Sequence, residues 1–373
     1  MALELAEIVR RHGAAYQARY RLLPHQRRAL RDIERCQTAA LGGQILVCPE
    51  CEHVAYRYHS CRNRHCPKCQ HAQAQDWLSE QQACLLNAPY VLLTFTLPAA
   101  LRPLARRHPR RIYDLLFRAA AQATLKLAQD PRHIGGLVGM LGVLHTWTRD
   151  LRYHPHVHFL VPAGGLAPDG LTWRSARRRF FLPVKALSRL FRATFQHALR
   201  RDALAAEIAD DVWHEPWVVH SKGVGTGELA LRYLAPYVFR VALSNRRLVK
   251  LEDGRVTFRY VEAKTGQTRF CTLPAEAFLR RFLEHILPKG FVKVRYYGLF
   301  APRHRQALLA LQQRLAEEDD DSALLPNTTI PSPAEPERCP SCGCAVQVRP
   351  LLRVRELLRA RARCPPNEAL FTP

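Results

Sequence analysis

Apolar residues recur along this chain with two different periods. A helical period runs through Leu3, Ile8 and Val9, through the Ala- and Leu-rich stretch 112–128, and through the amphipathic stretch 184–207. A further helix is predicted over 70–86. Alternating or unbroken apolar runs, which favour strands, occupy 91–97 up to Pro98, then 137–147, 154–161 and 213–220. A short polar turn separates the second and third of these runs, so they are expected to pair antiparallel. Gly223, Gly225 and Gly227 mark a loop ahead of a helix beginning near Glu228. This alternation predicts an α+β fold with a largely antiparallel sheet and flanking helices.

Breaks in the pattern suggest four parts. Residues 1–86 are cysteine-rich and basic, and 87–310 carry the strands and helices of a body. Residues 311–338 hold an acidic run at 317–321 and then Pro326, Pro331, Pro333 and Pro336, a linker by composition. Residues 339–373 form a short cysteine-containing basic tail, in which 351–363 read as a basic helix suited to DNA. The 373 residues fit two or three domains, and no internal repeat is present.

Charge adds a partner. Lys and Arg number 56 against 32 Asp and Glu, a formal net charge of +24, which points to a polyanion, DNA or RNA. No apolar run reaches the roughly 18–20 residues of a membrane span. The first residues, MALELAEIVRRHG, lack the apolar stretch and cleavage site of a secretory signal. The expected location is the cytoplasm, on the nucleoid. In that reducing compartment the 12 cysteines point to metal rather than disulfides.

Two pairs, Cys48-Pro49-Glu50-Cys51 and Cys66-Pro67-Lys68-Cys69, each present two thiolates on one tight turn. Together they predict one structural Zn2+ site. Cys36, Cys61 and His65 could help ligate a second zinc or simply pack beside the first. Arg57, Arg62, Arg64 and Lys68 make this region basic enough to grip phosphates. Cys339, Cys342 and Cys344 are half a site, with Cys364 the candidate addition and no four evident ligands.

The body offers catalytic chemistry at two places. In Tyr153-His154-Pro155-His156-Val157-His158 the period of a strand sends His156 and His158 to one face, with Val157 turned into the core. Two such imidazoles can hold a divalent ion against a phosphate oxygen. His145, at the end of the preceding strand, is the candidate third ligand, and His154 a fourth if the strand extends past Pro155. Tyr233 and Tyr237 stand four apart, on one face of a helix. Alone they read as two packed aromatics. Beside a metal that polarises a phosphate they become candidate nucleophiles. Pro236 should disturb the preceding turn unless the helix begins close to it. The clusters Arg106, Arg107, Arg110, Arg111 and Arg177, Arg178, Arg179 read mainly as solvated faces.

With these residues in view, the chain resembles the HUH-type two-tyrosine transposases of rolling-circle insertion sequences, which carry an N-terminal zinc-binding domain. The similarity runs from about Arg27 to Leu309. It rests on Leu41-Gly42-Gly43, both Cys-Pro-x-Cys pairs, the run from Ser60 to Cys66, Leu144-His145-Thr146-Trp147, the run from His154 to His158, YLAPYVFRVALSNRR from Tyr233, and Val294-Arg295-Tyr296-Tyr297-Gly298. Gln44 stands where a His often follows Leu-Gly-Gly, which argues against a second zinc, and Glu52 replaces a frequent Gly.

The resemblance implies an antiparallel sheet with the histidine strand central and helices behind it. It implies that His156 and His158 bind Mg2+ or Mn2+. Tyr233 and Tyr237 would form 5′-phosphotyrosine links to single-stranded DNA ends. Arg62, Arg64, Lys68, Arg246 and Arg247 are the candidate DNA contacts. A plasmid relaxase or rolling-circle replication initiator would use the same histidines and tyrosines. A zinc-finger DNA-binding protein without chemistry would need neither tyrosine.

Overall fold

The computed structural model describes residues 3–69, 81, 85–177, 181–200, 202–227, 229, 231, 242–262, 265–317 and 338–351. Its contacts divide the chain into two units, 1–69 with 324–373, and 70–323.

In the first unit, α1 (Leu5–Arg19) and α2 (Pro24–Arg35) bury Leu5, Ile8 and Val9 and Ala29, Leu30 and Ile33 respectively. Pro24 begins α2 where no intrahelical N–H is needed, and the Gln26 side chain accepts the Leu23 N–H at 3.1 Å. A hairpin follows, β1 (Gly43–Val47) and β2 (Val54–Tyr58), with Cys48 to Cys51 at its turn. The tail was expected to stand apart. Instead its strand Gln347–Leu351 pairs antiparallel with the other side of β1, Val47 opposite Gln347 and Gly43 opposite Leu351. Without that strand β1 would present an open edge. The added strand is itself an edge, the position in a sheet that tolerates a proline such as Pro350. Leu351, expected to open a basic helix, ends this strand; the rest of 351–363 lies outside the described residues.

The second unit runs β3 (Pro89–Thr96), α3 (Arg102–Arg107), α4 (Pro109–Gln129), β4 (Gly139–Trp147), β5 (Tyr153–Pro162), β6 (Gly164–Leu166), β7 (Trp173–Ser175), α5 (Val184–Arg200) and β8 (Val219–Thr226). It continues with a three-stranded antiparallel meander, β9 (Leu248–Glu252), β10 (Arg255–Val261) and β11 (Thr268–Pro274), then α6 (Ala275–Leu283), β12 (Val294–Gly298) and α7 (Arg305–Glu317). Among the described residues the main sheet has the order β12-β4-β5-β3-β8, antiparallel at every pairing, with β5 central.

Side-chain alternation gives this sheet two different faces. Val91, Leu93, Phe95, Leu144, Val157, Phe159 and Val161 join the main core with Leu116, Phe117 and Ala120 of α4 and with Phe191 and Phe195 of α5. Edge-on ring pairs, Phe95–Phe159 at 6.0 Å and Phe95–Phe191 at 5.1 Å, lock the layers. The opposite face buries a smaller cluster of Tyr90, Leu92, Leu141, Val143, Leu160 and Leu231. The histidines lie further along that same face.

Several boundaries differ from the sequence reading. The helix over 184–207 stops at Arg200, and 203–207 form a 3-10 turn in which Asp202 accepts the Leu204 N–H. The strand expected over 213–220 begins only at Val219 and continues through Gly223 and Gly225, which were expected in a loop. Among the described residues β8 is the last strand of the sheet and pairs only with β3, and Gly225, at φ +85, borders the register break opposite Tyr90. Of the helix expected over 70–86, residues 70–80 and 82–84 lie outside the described residues. Of the helix expected from Glu228, only Leu229 and Leu231 are described, both helical, and Gly227, expected in the loop, is helical as well. Among the described residues no helix is long and apolar enough to cross a membrane.

Gly142 pairs across β4 and β5 with Phe159. A Cβ there would fall 2.5 Å from the Phe159 ring and 3.1 Å from that of Phe117. Gly142→Ala should therefore destabilise the body by about 1–3 kcal/mol through overpacking, read as a lower midpoint in urea. An unchanged midpoint would show that these rings give way.

Candidate active site

Pairing between β4 and β5 sets His145 directly opposite His156, and pairing between β3 and β5 sets Thr94 opposite His158. Residues two apart share a face, so the three imidazoles converge. One ligand nitrogen from each of His145, His156 and His158 lies within 4.8 Å of the others. Their rings stand nearly perpendicular, with centroids 4.8–5.5 Å apart. Neighbours orient them. The His156 Nδ1 donates to the His154 carbonyl at 2.7 Å, leaving Nε2 as the lone-pair nitrogen. The His158 Nδ1 lies 2.9 Å from the Thr94 hydroxyl. His145 stacks on Trp147 at 4.7 Å. His154 stands aside from the triad, with its Nδ1 2.8 Å from the Arg102 guanidinium.

Burial keeps His156 and His158 neutral. Desolvation lowers His156 to about 4, and desolvation followed by the adjacent His156 pushes His158 well below its usual range. Neutral imidazole is the form that ligates a metal. All three donors are imidazoles, a set that suits a transition ion and favours Mn2+ over Mg2+. On an octahedral ion, three protein ligands leave about three positions for phosphate oxygens and water.

Beside the triad, Trp147, Arg149, Arg247, Arg259, Tyr260, Val261 and Thr268 line a cavity of about 500 Å³. It offers aromatic faces for bases and guanidiniums for phosphates. Arg149 and Arg259 are exposed. Arg247 serves the scaffold: its guanidinium donates to the carbonyls of Arg259 (3.0 Å), Ala242 (3.3 Å) and Arg149. Arg246 is exposed. Tyr233 and Tyr237 lie outside the described residues. Leu231, two positions before Tyr233, is buried on the histidine face in the cluster of Val143 and Leu160.

The cysteines depart from the pairing expected from their spacing. Cys66 and Cys69 gather with Cys36 and Cys61, whereas Cys48 and Cys51 gather with Cys339 and Cys342. Cys36 Sγ is 3.4 Å from Cys69 Sγ, and Cys61 Sγ is 3.5 Å from it. Spacing could not reveal this, because the strand that follows the tail cysteines folds back onto β1. His65 and Cys344 belong to neither group. Among the expected DNA contacts of the head, Arg62 is exposed, Arg64 is partly buried with its pKa lowered by desolvation, and Lys68 is paired with Glu4 at 2.7 Å.

The arginines of the 106–111 cluster are internally paired. Arg106 meets Glu284 at 3.2 Å, Arg107 meets Glu207, and Arg111 meets Asp202. Arg178 and Arg179 lie outside the described residues. Sequence reasoning passed over Thr94, whose only signal is the register of β3, over Arg149 in the turn after Trp147, and over Arg259 and Tyr260, which reach Trp147 only through the meander.

Comparison with known proteins matches residues 139–307 to a family described as "Putative transposase" and residues 8–97 to a "Transposase zinc-binding domain". The chain is 40% identical over 354 residues to "Putative transposase y4qJ" of Sinorhizobium fredii (strain NBRC 101917 / NGR234), covering 89% of this chain and 86% of that protein. It is 32% identical over 301 residues to the "Transposase for insertion sequence element IS801" of Pseudomonas savastanoi pv. phaseolicola, covering 74% and 72% respectively. No solved structure matches the chain.

Two measurements probe this geometry. Thr94→Ala, which removes the oxygen beside His158 Nδ1, should weaken Mn2+ binding about 10–100-fold in calorimetric titration. An unaltered affinity would show that the hydroxyl plays no part in orienting the ligand. The second concerns acid stability. His285 is fully buried, with its ring nitrogens 3.2 Å from the Thr146 hydroxyl and 3.3 Å from the Leu151 carbonyl, and desolvation lowers it from 6.5 to about 4. Above its unfolded pKa neither state is charged. As pH falls from 6.5 towards 4 the unfolded chain takes up a proton that the folded one refuses, so stability declines. His285 alone should remove about 2 kcal/mol at about pH 5. Urea melts at about pH 7.5 and pH 5 should show this loss shrinking in His285→Gln.

Proposed function

The chain belongs to the IS91/IS801-type transposase family, enzymes that cut DNA, and from that premise we propose that it nicks and rejoins single-stranded DNA through 5′-phosphotyrosine intermediates. The observation that carries this reading is the convergence of His145, His156 and His158 on the same sheet face that buries Leu231, just ahead of Tyr233 and Tyr237. The donor set fits Mn2+ or Mg2+, and such an ion supplies Lewis-acid polarisation of a phosphate oxygen.

The chain's own groups do the rest. The exposed guanidiniums of Arg149 and Arg259 hold the phosphate backbone, and Trp147 and Tyr260 offer rings on which unpaired bases stack. Base stacking of this kind suits a single strand. A phenol oxygen from Tyr233 or Tyr237 attacks phosphorus and forms the O–P bond. The bond from phosphorus to the 3′ oxygen breaks, and that oxygen leaves as a hydroxyl, accepting the proton lost by the phenol. The 5′ end stays on the tyrosine with its phosphodiester energy conserved, so rejoining needs no nucleotide cofactor. Two tyrosines allow two such transfers in succession. The zinc-binding head, a domain that the family carries at 8–97, adds a basic DNA contact through Arg62.

End-labelled single-stranded DNA from the element's terminus, incubated with protein and Mn2+, should give a covalent protein–DNA band that resists denaturation. Tyr233→Phe with Tyr237→Phe should abolish it. A band that persists in the double variant would refute the tyrosine mechanism, and a band formed equally in EDTA would refute the metal's part.

A further inference from the structure

We infer that Cys48, Cys51, Cys339 and Cys342 form a second structural zinc site, which clasps the C-terminal segment to the head. The zinc-binding domain shared with the family ends at residue 97, so Cys339 and Cys342 lie well beyond it. The first tetrathiolate, Cys36, Cys61, Cys66 and Cys69, falls wholly within that domain and does not need them.

The two halves of the second site are built alike. In the head, Glu52 N–H donates to the Cys48 carbonyl at 3.1 Å, and Cys48 N–H donates to the His53 carbonyl at 3.0 Å. In the tail, Gly343 N–H donates to the Cys339 carbonyl at 2.9 Å, and Cys339 N–H donates to the Cys344 carbonyl at 2.7 Å. Each knuckle therefore closes with the same two backbone bonds at the same spacing. The residue after each second cysteine is left-handed, Glu52 at φ 57 and Gly343 at φ 76. A non-glycine residue held in that region is strained. The two turns face each other with Cys48 Sγ 3.4 Å from Cys342 Sγ and Cys51 Sγ 3.5 Å from Cys339 Sγ. That is far longer than the roughly 2.05 Å of a disulfide. It approaches the sulfur–sulfur edge of about 3.8 Å that Zn–S bonds of about 2.3 Å impose on a tetrahedron.

Four thiolates and no open position make a structural site rather than a catalytic one. Strand pairing of Gln347–Leu351 with β1 supports the same closure. The body is thus inserted, in sequence, between the two halves of a zinc ribbon.

Zinc content and tail retention test this in the full-length protein. A protease recognition sequence inserted after Pro331 allows the chain to be cut once, and gel filtration then asks whether the tail fragment stays bound. In the zinc-loaded protein it should co-elute with the rest, and a strong chelator should release it. Cys339→Ser with Cys342→Ser should lose one equivalent of zinc relative to the unsubstituted chain and release the tail without chelator. Cys36→Ser, in the other cluster, should also lose one equivalent yet keep its tail. A tail that stays bound after chelation, or an unchanged zinc content in the Cys339 and Cys342 double variant, would overturn the proposal.

Discussion

Everything at the proposed catalytic centre depends on the two-residue period of β5. One strand has to satisfy two environments at once: Val157, Phe159 and Val161 enter the core beneath α4 and α5, while His156 and His158 point the other way. Slipping the register by one residue would bury imidazoles among phenylalanines and expose Val157 and Phe159. The large rings of the core therefore fix where the ligands stand. Placing β5 in the middle of the sheet also hands it a neighbour on each side, and each contributes: β4 supplies His145, and β3 supplies Thr94. A histidine pair on an edge strand would have had only one of the two.

The head solves a different problem. Its described residues form two helices and a three-stranded sheet, with few large apolar side chains to bury. Units this small commonly need metal or disulfides to hold a fold. Two clusters of cysteines take that place here. One fixes the end of α2 to the loop that follows β2, through Cys36 and Cys61. The other, on the reading argued above, fastens the turn between β1 and β2 to a segment from the far end of the chain.

Local geometry was legible in the sequence, and long-range pairing was not. The strand 154–161, the helix behind it and the partnership of His145 with His156 follow from periodicity plus one short turn, because those residues are neighbours along the chain. The cysteines show the opposite case. Cys48-x-x-Cys51 and Cys66-x-x-Cys69 look like one site because they are close in sequence, yet each pair takes its partners from elsewhere. The hint was present in the repeated Cys-Pro-x-Cys at 339–342, but only the pairing of Gln347–Leu351 with β1 brings it to the head. The glycines at 223 and 225 misled for another reason. A glycine-rich run reads as a loop unless one knows that it forms the last strand of a sheet, where a bulge is cheap. The cavity beside Trp147 escaped for a third reason, since it draws on the meander more than 100 residues downstream.

Charge connects the proposed centre to its substrate. Carboxylate ligands would partly neutralise a divalent ion, but imidazole ligands, which bind as neutral groups, leave its charge whole, and burial already holds His156 and His158 in that form. Arg149 and Arg259 line the adjoining cavity and add to the positive field. In a chain with a formal net charge of +24, the ligand group found among the described residues contains no carboxylate, and a DNA phosphate supplies the balancing charge. Ion and strand should then favour each other's binding, as any two ligands that relieve each other's electrostatic cost must. This coupling offers a physical reason for a ligand set without carboxylates: it ties a tightly held ion, and with it the power to activate a phosphate, to the presence of the DNA that is to be cut.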